Sequence, residues 1–200
     1  METAITHKLE SLTHLPVEHS RLHVISLSKL AIMGIFSIGL YIAYWNYRHW
    51  LLIRGERGFK VIPLLCTIFG AITMYFLMKK IVMRSREANQ PVEGSALGVT
   101  LMYWIPCLMV FTWDIALAEH ALESLPLLIV ILASLILPII RITFLALSIL
   151  QIQQTANVCE GDPLGLQNSQ ITWANVLWIV IVWISAGAIL SYLLIHGSLM

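Results

Sequence analysis

The polar residues of this 200-residue chain form only a few arrangements able to do chemistry. Glu119, His120 and Glu123 place two carboxylates and an imidazole in one short stretch, with Asp114 just before them. Closed around a pocket, such a set would move protons or polarise a bound group. It falls between two apolar runs, where a solvated loop is the simpler expectation. His19 and His23 are four residues apart, which on a helix puts both imidazoles on one face, as in many metal sites. The histidines beyond the N-terminal segment, His49, His120 and His196, are isolated, so a surface pair is expected. Cys66, Cys107 and Cys159 form no CxxC pair and read as separate thiols. Glu160, Asp162 and Asn168 carry oxygen donors, but their spacing fits no EF-hand loop. There is no HExxH, no GxSxG and no glycine-rich phosphate loop. The expectation is a chain without catalytic residues, cofactor or metal.

The most patterned polar stretch runs from Cys159 to Trp178. Asp162, Pro163 and Gly165 stand at positions i, i+1 and i+3 of a type I turn: Asp bonds the backbone ahead, Pro presets φ, and Gly closes the turn. Asn168 follows in the same loop. Thr172 suits the N-cap of a final helix with Asn175 at its third position, and Trp178 lies one turn further on. This stretch is expected to be architecture first.

Hydrophobic residues make up 58% of the chain and charged residues 12%, about half the charged share of a soluble domain, so the elements that position these groups belong in a bilayer. The net charge of +1 calls for no nucleic-acid partner. A helix needs about 20 apolar residues to cross. Five runs approach that length, 30–47, 61–78, 96–117, 125–147 and 173–195. They predict an all-α membrane bundle of four to five transmembrane helices over 30–195, behind a polar N-terminal segment, 1–29. That segment lacks the basic-then-apolar start of a cleavable signal and is expected to stay on.

Every Lys and Arg except Arg141 precedes residue 87. If both of the first two runs cross, Arg48, Arg54, Arg57 and Lys60 face the opposite side from Lys79, Lys80, Arg84 and Arg86, which the positive-inside rule disfavours. If the second run enters and returns, or lies in the interface, the balance improves. Charge thus prefers four crossings and hydropathy five, and the side of the N-terminus depends on which holds. Both place 79–95 and the loop around Glu160 inside, and the connection with Glu119 and Glu123 outside. Arg141 is expected to snorkel to the inner headgroups, at the opposite face from Asp114.

The stretch Tyr41–Trp50 gathers five aromatics, which an aromatic belt at the headgroup level explains. The alternative is a ledge for lipid headgroups or a partner, with Trp45, Tyr47, Trp50, Arg54 and Arg57 as the contact candidates. Ser185 to Ala188 supply small residues that allow close helix packing against a neighbouring span or a second copy.

The segment YWNYRHW, the Ile62-Pro63 opening of the second run, its MYFLMKKI end, and the late DPLGLQNSQITWANVLWIV together resemble an uncharacterised family of small bacterial multi-span inner-membrane proteins. The similarity covers most of 30–183. Family members often carry an Arg within the second run, which implies an interfacial or re-entrant element; here Cys66, Thr67 and Ile68 hold that region without a charge. The resemblance implies class and location, a multi-pass bacterial inner-membrane protein, and no activity. The functional expectation is a non-enzymatic accessory or assembly component in contact with the lipid bilayer, another membrane protein or itself. The alternative is a small oligomeric transporter or channel, with Pro106 and Pro138 as its only candidate helix breaks.

Overall fold

The computed structural model describes residues 22–55, 60–87 and 94–197, which form helices and connecting turns with no strand among them. In chain order these are α1 (Leu27–Phe36), α2 (Leu40–Arg54), α3 (Pro63–Ile68), α4 (Gly70–Glu87), α5 (Ala96–Ala118), α6 (Leu127–Cys159), a 3-10 turn (Leu166–Asn168) and α7 (Trp173–Gly197). Three of them, α5, α6 and residues Trp173–Ile195 of α7, are long and apolar enough to cross a membrane. Runs 96–117, 125–147 and 173–195 thus form the expected long helices. Helices α5 and α6 pass through Pro106 and Pro138 without a break. They pair antiparallel: Ser148 Oγ donates to Val99 O at 3.4 Å near one end, and Trp113 Nε1 to Ser134 Oγ at 3.1 Å towards the other.

The other two runs are not single helices. Run 30–47 breaks at Ser37–Gly39, where Ile38 and Gly39 take φ of 53° and 81°. The Gly39 amide donates to Gly34 O at 2.9 Å, closing α1 as left-handed residues close many helices. The buried Ser37 hydroxyl then accepts the Tyr41 amide at 2.8 Å and starts α2. The two helices fold back on one another, with Ile42 against Gly34. Run 61–78 breaks at Phe69. Thr73 Oγ1 donates to Cys66 O at 2.7 Å, although residues seven apart in one helix are separated by about 10 Å along the axis. Helix α3 descends alongside α2 from beside Arg54, and α4 starts at Gly70, packed on Asn46, and climbs until Ile81 meets Cys159. Of the four to five crossings expected, three correspond to long apolar helices, and the first two runs form hairpins instead.

Helix α6 explains why these pieces assemble. Its 33 residues span about 50 Å, against about 30 Å of hydrocarbon. Its last third changes character: Ser148, Ile149, Ile152, Gln153, Thr155, Ala156 and Asn157 are all buried, whereas its apolar first part is largely exposed. The two hairpins pack around that last third, and Trp45, Trp50, Ile53, Leu77, Met78 and Ile81 close a core there. Their tips present exposed Ile35, Phe36, Ile38, Ile68, Phe69 and Ile72. Apart from Arg141 on α6, every described Lys and Arg belongs to this body at one end of the molecule, from Lys29 to Arg86. The other end carries Glu119, His120 and Glu123.

Arg54 and Glu87 therefore lie at one end of the molecule, and Glu123 at the other. In a chain with its three native cysteines replaced by serine, single cysteines at 54 and 87 should react with an impermeant maleimide from the same side of sealed vesicles, and one at 123 from the opposite side. Reaction at 54 and 87 from opposite sides would show that 61–78 crosses.

Candidate functional site

The polar groups converge in the near-end body, around the extended segment 22–26. Trp45 Nε1 donates to Gln153 Oε1 at 2.5 Å. An indole can only donate, so this bond fixes which way the Gln153 amide faces. Gln153 Nε2 then donates to His23 O at 2.9 Å and to Asn157 Oδ1 at 2.6 Å. Asn157 completes a clamp, its Nδ2 donating to Ile25 O at 2.8 Å while its Oδ1 accepts the Ile25 amide at 3.3 Å. His49 Nε2 also lies 3.1 Å from Gln153 Oε1, which requires the proton on Nε2 and leaves the buried Nδ1 without a hydrogen bond. The rings of His23 and Trp45 pack edge-on against His49.

The loop after α6 holds the same segment from its other side. Glu160 Oε1 accepts the Leu22 amide at 2.8 Å. Asn168 donates through Nδ2 to Val24 O at 3.2 Å, and its backbone carbonyl accepts the Ser26 amide at 3.3 Å. Lys29, nearly enclosed, reaches Asn168 Oδ1 at 2.6 Å and Gln170 O at 2.7 Å. The turn at Asp162, Pro163 and Gly165 supports this contact. The Gly165 amide donates to Asp162 O at 2.9 Å, and the Asp162 carboxylate accepts the amides of Leu166 and Gln167 at 3.0 and 2.9 Å, which holds its pKa below the usual range. Gly165 has φ of 65°, and a Cβ there would lie 2.5 Å from the Ile25 carbonyl and the Ser26 nitrogen. Only glycine permits so close an approach.

Several residues singled out from the sequence take different places. Trp45 and Trp50 are 2% exposed and belong to the core, so neither forms a belt or a ledge for a partner. Tyr47 is half-buried and Arg54 exposed; Arg57, His19 and the other residues before 22 lie outside the described residues. Thr172 precedes α7, but its hydroxyl donates to Asn175 Oδ1 at 3.1 Å. Asn175 in turn accepts the Thr172 amide at 3.0 Å, so the side-chain cap runs backward from Asn175. Trp178 is exposed, while Trp183 Nε1 donates to Phe36 O at 2.9 Å. His120 Nδ1 and Glu123 Oε1 approach to 3.2 Å with both side chains in the open, and Asp114 is exposed. Arg141 is exposed along α6. Sequence reasoning did not pick out Gln153 and Asn157, whose spacing of four on a polar helix end was the available signal.

Between segment 22–26, α2 and the loop lies a cleft of about 450 Å³, lined by His23, Arg48, Leu52, Glu160, Gln167 and Asn168, with Leu22 and Val24. A second space, about 640 Å³ between α5 and α6 around Trp113, is walled mainly by apolar side chains. Comparison with protein-family models, with curated proteins and with solved structures finds no match.

Removal of the Gln153 side chain strips acceptors or donors from Trp45, His49, Asn157 and the His23 carbonyl at once. With each buried orphan costing about 1–3 kcal/mol, Gln153→Ala should destabilise by about 3 kcal/mol or more, and Trp45→Phe by about 1–2 kcal/mol. Thermal unfolding in detergent reads both. Burial, then Arg48 and Lys29, pushes the His23 pKa down to about 4; burial, then His23, pushes that of His49 down to about 3. Both are neutral in the fold and take up protons when it opens below pH about 6.5. Stability should hold above that pH and fall on acidification, by about 2 kcal/mol per histidine at pH 5. His49→Gln should flatten this slope between pH 7 and 5.

Proposed function

We propose that this chain is a multi-pass inner-membrane protein of bacterial type, with its cation-rich end in the cytoplasm, that acts as a non-enzymatic accessory or assembly component for another membrane protein. The observation that carries this reading is how little of α7 the other described helices cover. Among the described helices it contacts α1 alone, with Trp183 Nε1 on Phe36 O and Ile179 packed against the core, and it does not meet the α5–α6 pair. Gly187, in the small-residue patch, has nothing within 4 Å of where a Cβ would stand, so no described span packs on the patch at that residue.

Two apolar blades, α7 and the α5–α6 pair, thus stand apart on a shared base. Between apolar helices in lipid, association depends on close packing and polar contacts rather than on the hydrophobic effect. A patch of small side chains left open on α7 suits the helix of another protein. The base, meanwhile, commits Gln153, Asn157 and Asn168 to the backbone of 22–26, which suits a rigid support. The orientation follows from positive-inside bias, since the cations gather at one end and the carboxylates of Glu119 and Glu123 lie at the other.

Mild extraction of the tagged, full-length chain from its native membrane, followed by mass spectrometry of whatever remains bound, tests the reading. A stoichiometric membrane-protein partner that is lost in Gly187→Leu is the expected result. Recovery of the chain alone as a closed oligomer that conducts a solute in liposomes would overturn it in favour of a transporter.

A further inference from the structure

The cleft beside segment 22–26 has an unusual charge arrangement. Arg48, on α2, lines it with a buried Nε that makes no hydrogen bond. Glu160 lines it too, its carboxylate held in place because Oε1 accepts the Leu22 amide at 2.8 Å. His23 contributes a buried Nε2 that likewise makes no hydrogen bond. Leu22 and Leu52 supply apolar wall. A simple anion drawn to Arg48 meets the carboxylate, and a simple cation drawn to Glu160 meets the Arg48 guanidinium together with the charge of Arg84, which also acts on that carboxylate. A single ligand carrying both charges has a partner for each in this cleft.

We propose that this cleft binds a phosphoethanolamine group, with the phosphate on Arg48 and the primary ammonium against Glu160. Arginine's planar fork of donors matches phosphate oxygens, and an ammonium with three donors can bond a carboxylate directly, which a quaternary ammonium cannot. The cleft belongs to the body whose apolar hairpin tips, such as Phe36 and Phe69, are exposed, which places it at the level of lipid headgroups. The headgroup of phosphatidylethanolamine is one source of this chemistry, and a soluble phosphoethanolamine ester is the other. Neither depends on whether α7 has a protein partner.

The test uses the purified full-length chain, exchanged into mixed micelles with equal amounts of phosphatidylethanolamine, phosphatidylcholine and phosphatidylglycerol, with retained lipid counted by mass spectrometry. Phosphatidylethanolamine should be retained about tenfold over the other two. Arg48→Gln should abolish that excess, and Arg48→Lys, which keeps the charge, should restore part of it. Glu160→Gln keeps an acceptor for the Leu22 amide, so the fold is preserved, and it should raise phosphatidylglycerol to the level of phosphatidylethanolamine. In lipid-free detergent, a rise in thermal midpoint with millimolar phosphoethanolamine, but no lipid preference, would assign the site to a soluble ester. Equal retention of all three lipids with no shift by phosphoethanolamine would overturn the proposal, as would a preference that survives both Arg48→Gln and Glu160→Gln.

Discussion

The near-end body depends on one buried amide. Gln153 sits on α6 with four polar contacts, from Trp45 and His49 on α2 and to His23 and Asn157. Its orientation is dictated by an indole that can only donate, and the remaining donors and acceptors of the cluster fall into line behind it. In a low-dielectric interior such a network is favourable only when nearly complete, because each orphaned group carries its full desolvation cost. That requirement holds α2 in register with α6 and draws the extended segment 22–26 into the core, where its main-chain groups supply the missing partners.

From this constraint the architecture follows. A helix longer than the bilayer is thick must end in another environment, and α6 does so with Ser148, Gln153 and Asn157, polar residues buried under two helical hairpins. The hairpins are apolar at their tips and cationic at their ends. The same geometry bears on the two cation clusters that flank the second run. Helix α4 brings Lys79, Lys80, Arg84 and Arg86 back to the same end as Arg54 and Lys60, and no cluster needs to face the opposite side.

The cleft sits where the clamp meets the loop after α6. Its chemistry arises from residues far apart in the chain, Arg48 on a hairpin and Glu160 at the exit of α6, joined because Glu160 also binds the Leu22 amide. The turn at Asp162 and Gly165 contributes indirectly. It brings the backbone of the loop against Ile25 and Ser26, closer than any side chain would allow.

The sequence by itself determined the all-α class and the three long helices, since an uninterrupted apolar run both demands lipid and, within lipid, demands a helix. It also foretold the turn at Asp162-Pro163, whose residue preferences are local. It did not separate a span from a hairpin in runs 30–47 and 61–78. Hydropathy measures the cost of transfer from water and is blind to a break in the backbone, such as those at Ser37–Gly39 and Phe69. Nor did it decide between surface and core for Trp45 and Trp50, because an indole suits a membrane belt and a buried donor equally well. For Trp45 that choice rested on Gln153, more than 100 residues away along the chain, whereas the buried Trp50 indole makes no hydrogen bond and is held by apolar packing. Only the tertiary structure could settle it, because the acceptor for the Trp45 indole and the apolar neighbours of Trp50 come from distant parts of the chain that the fold brings together.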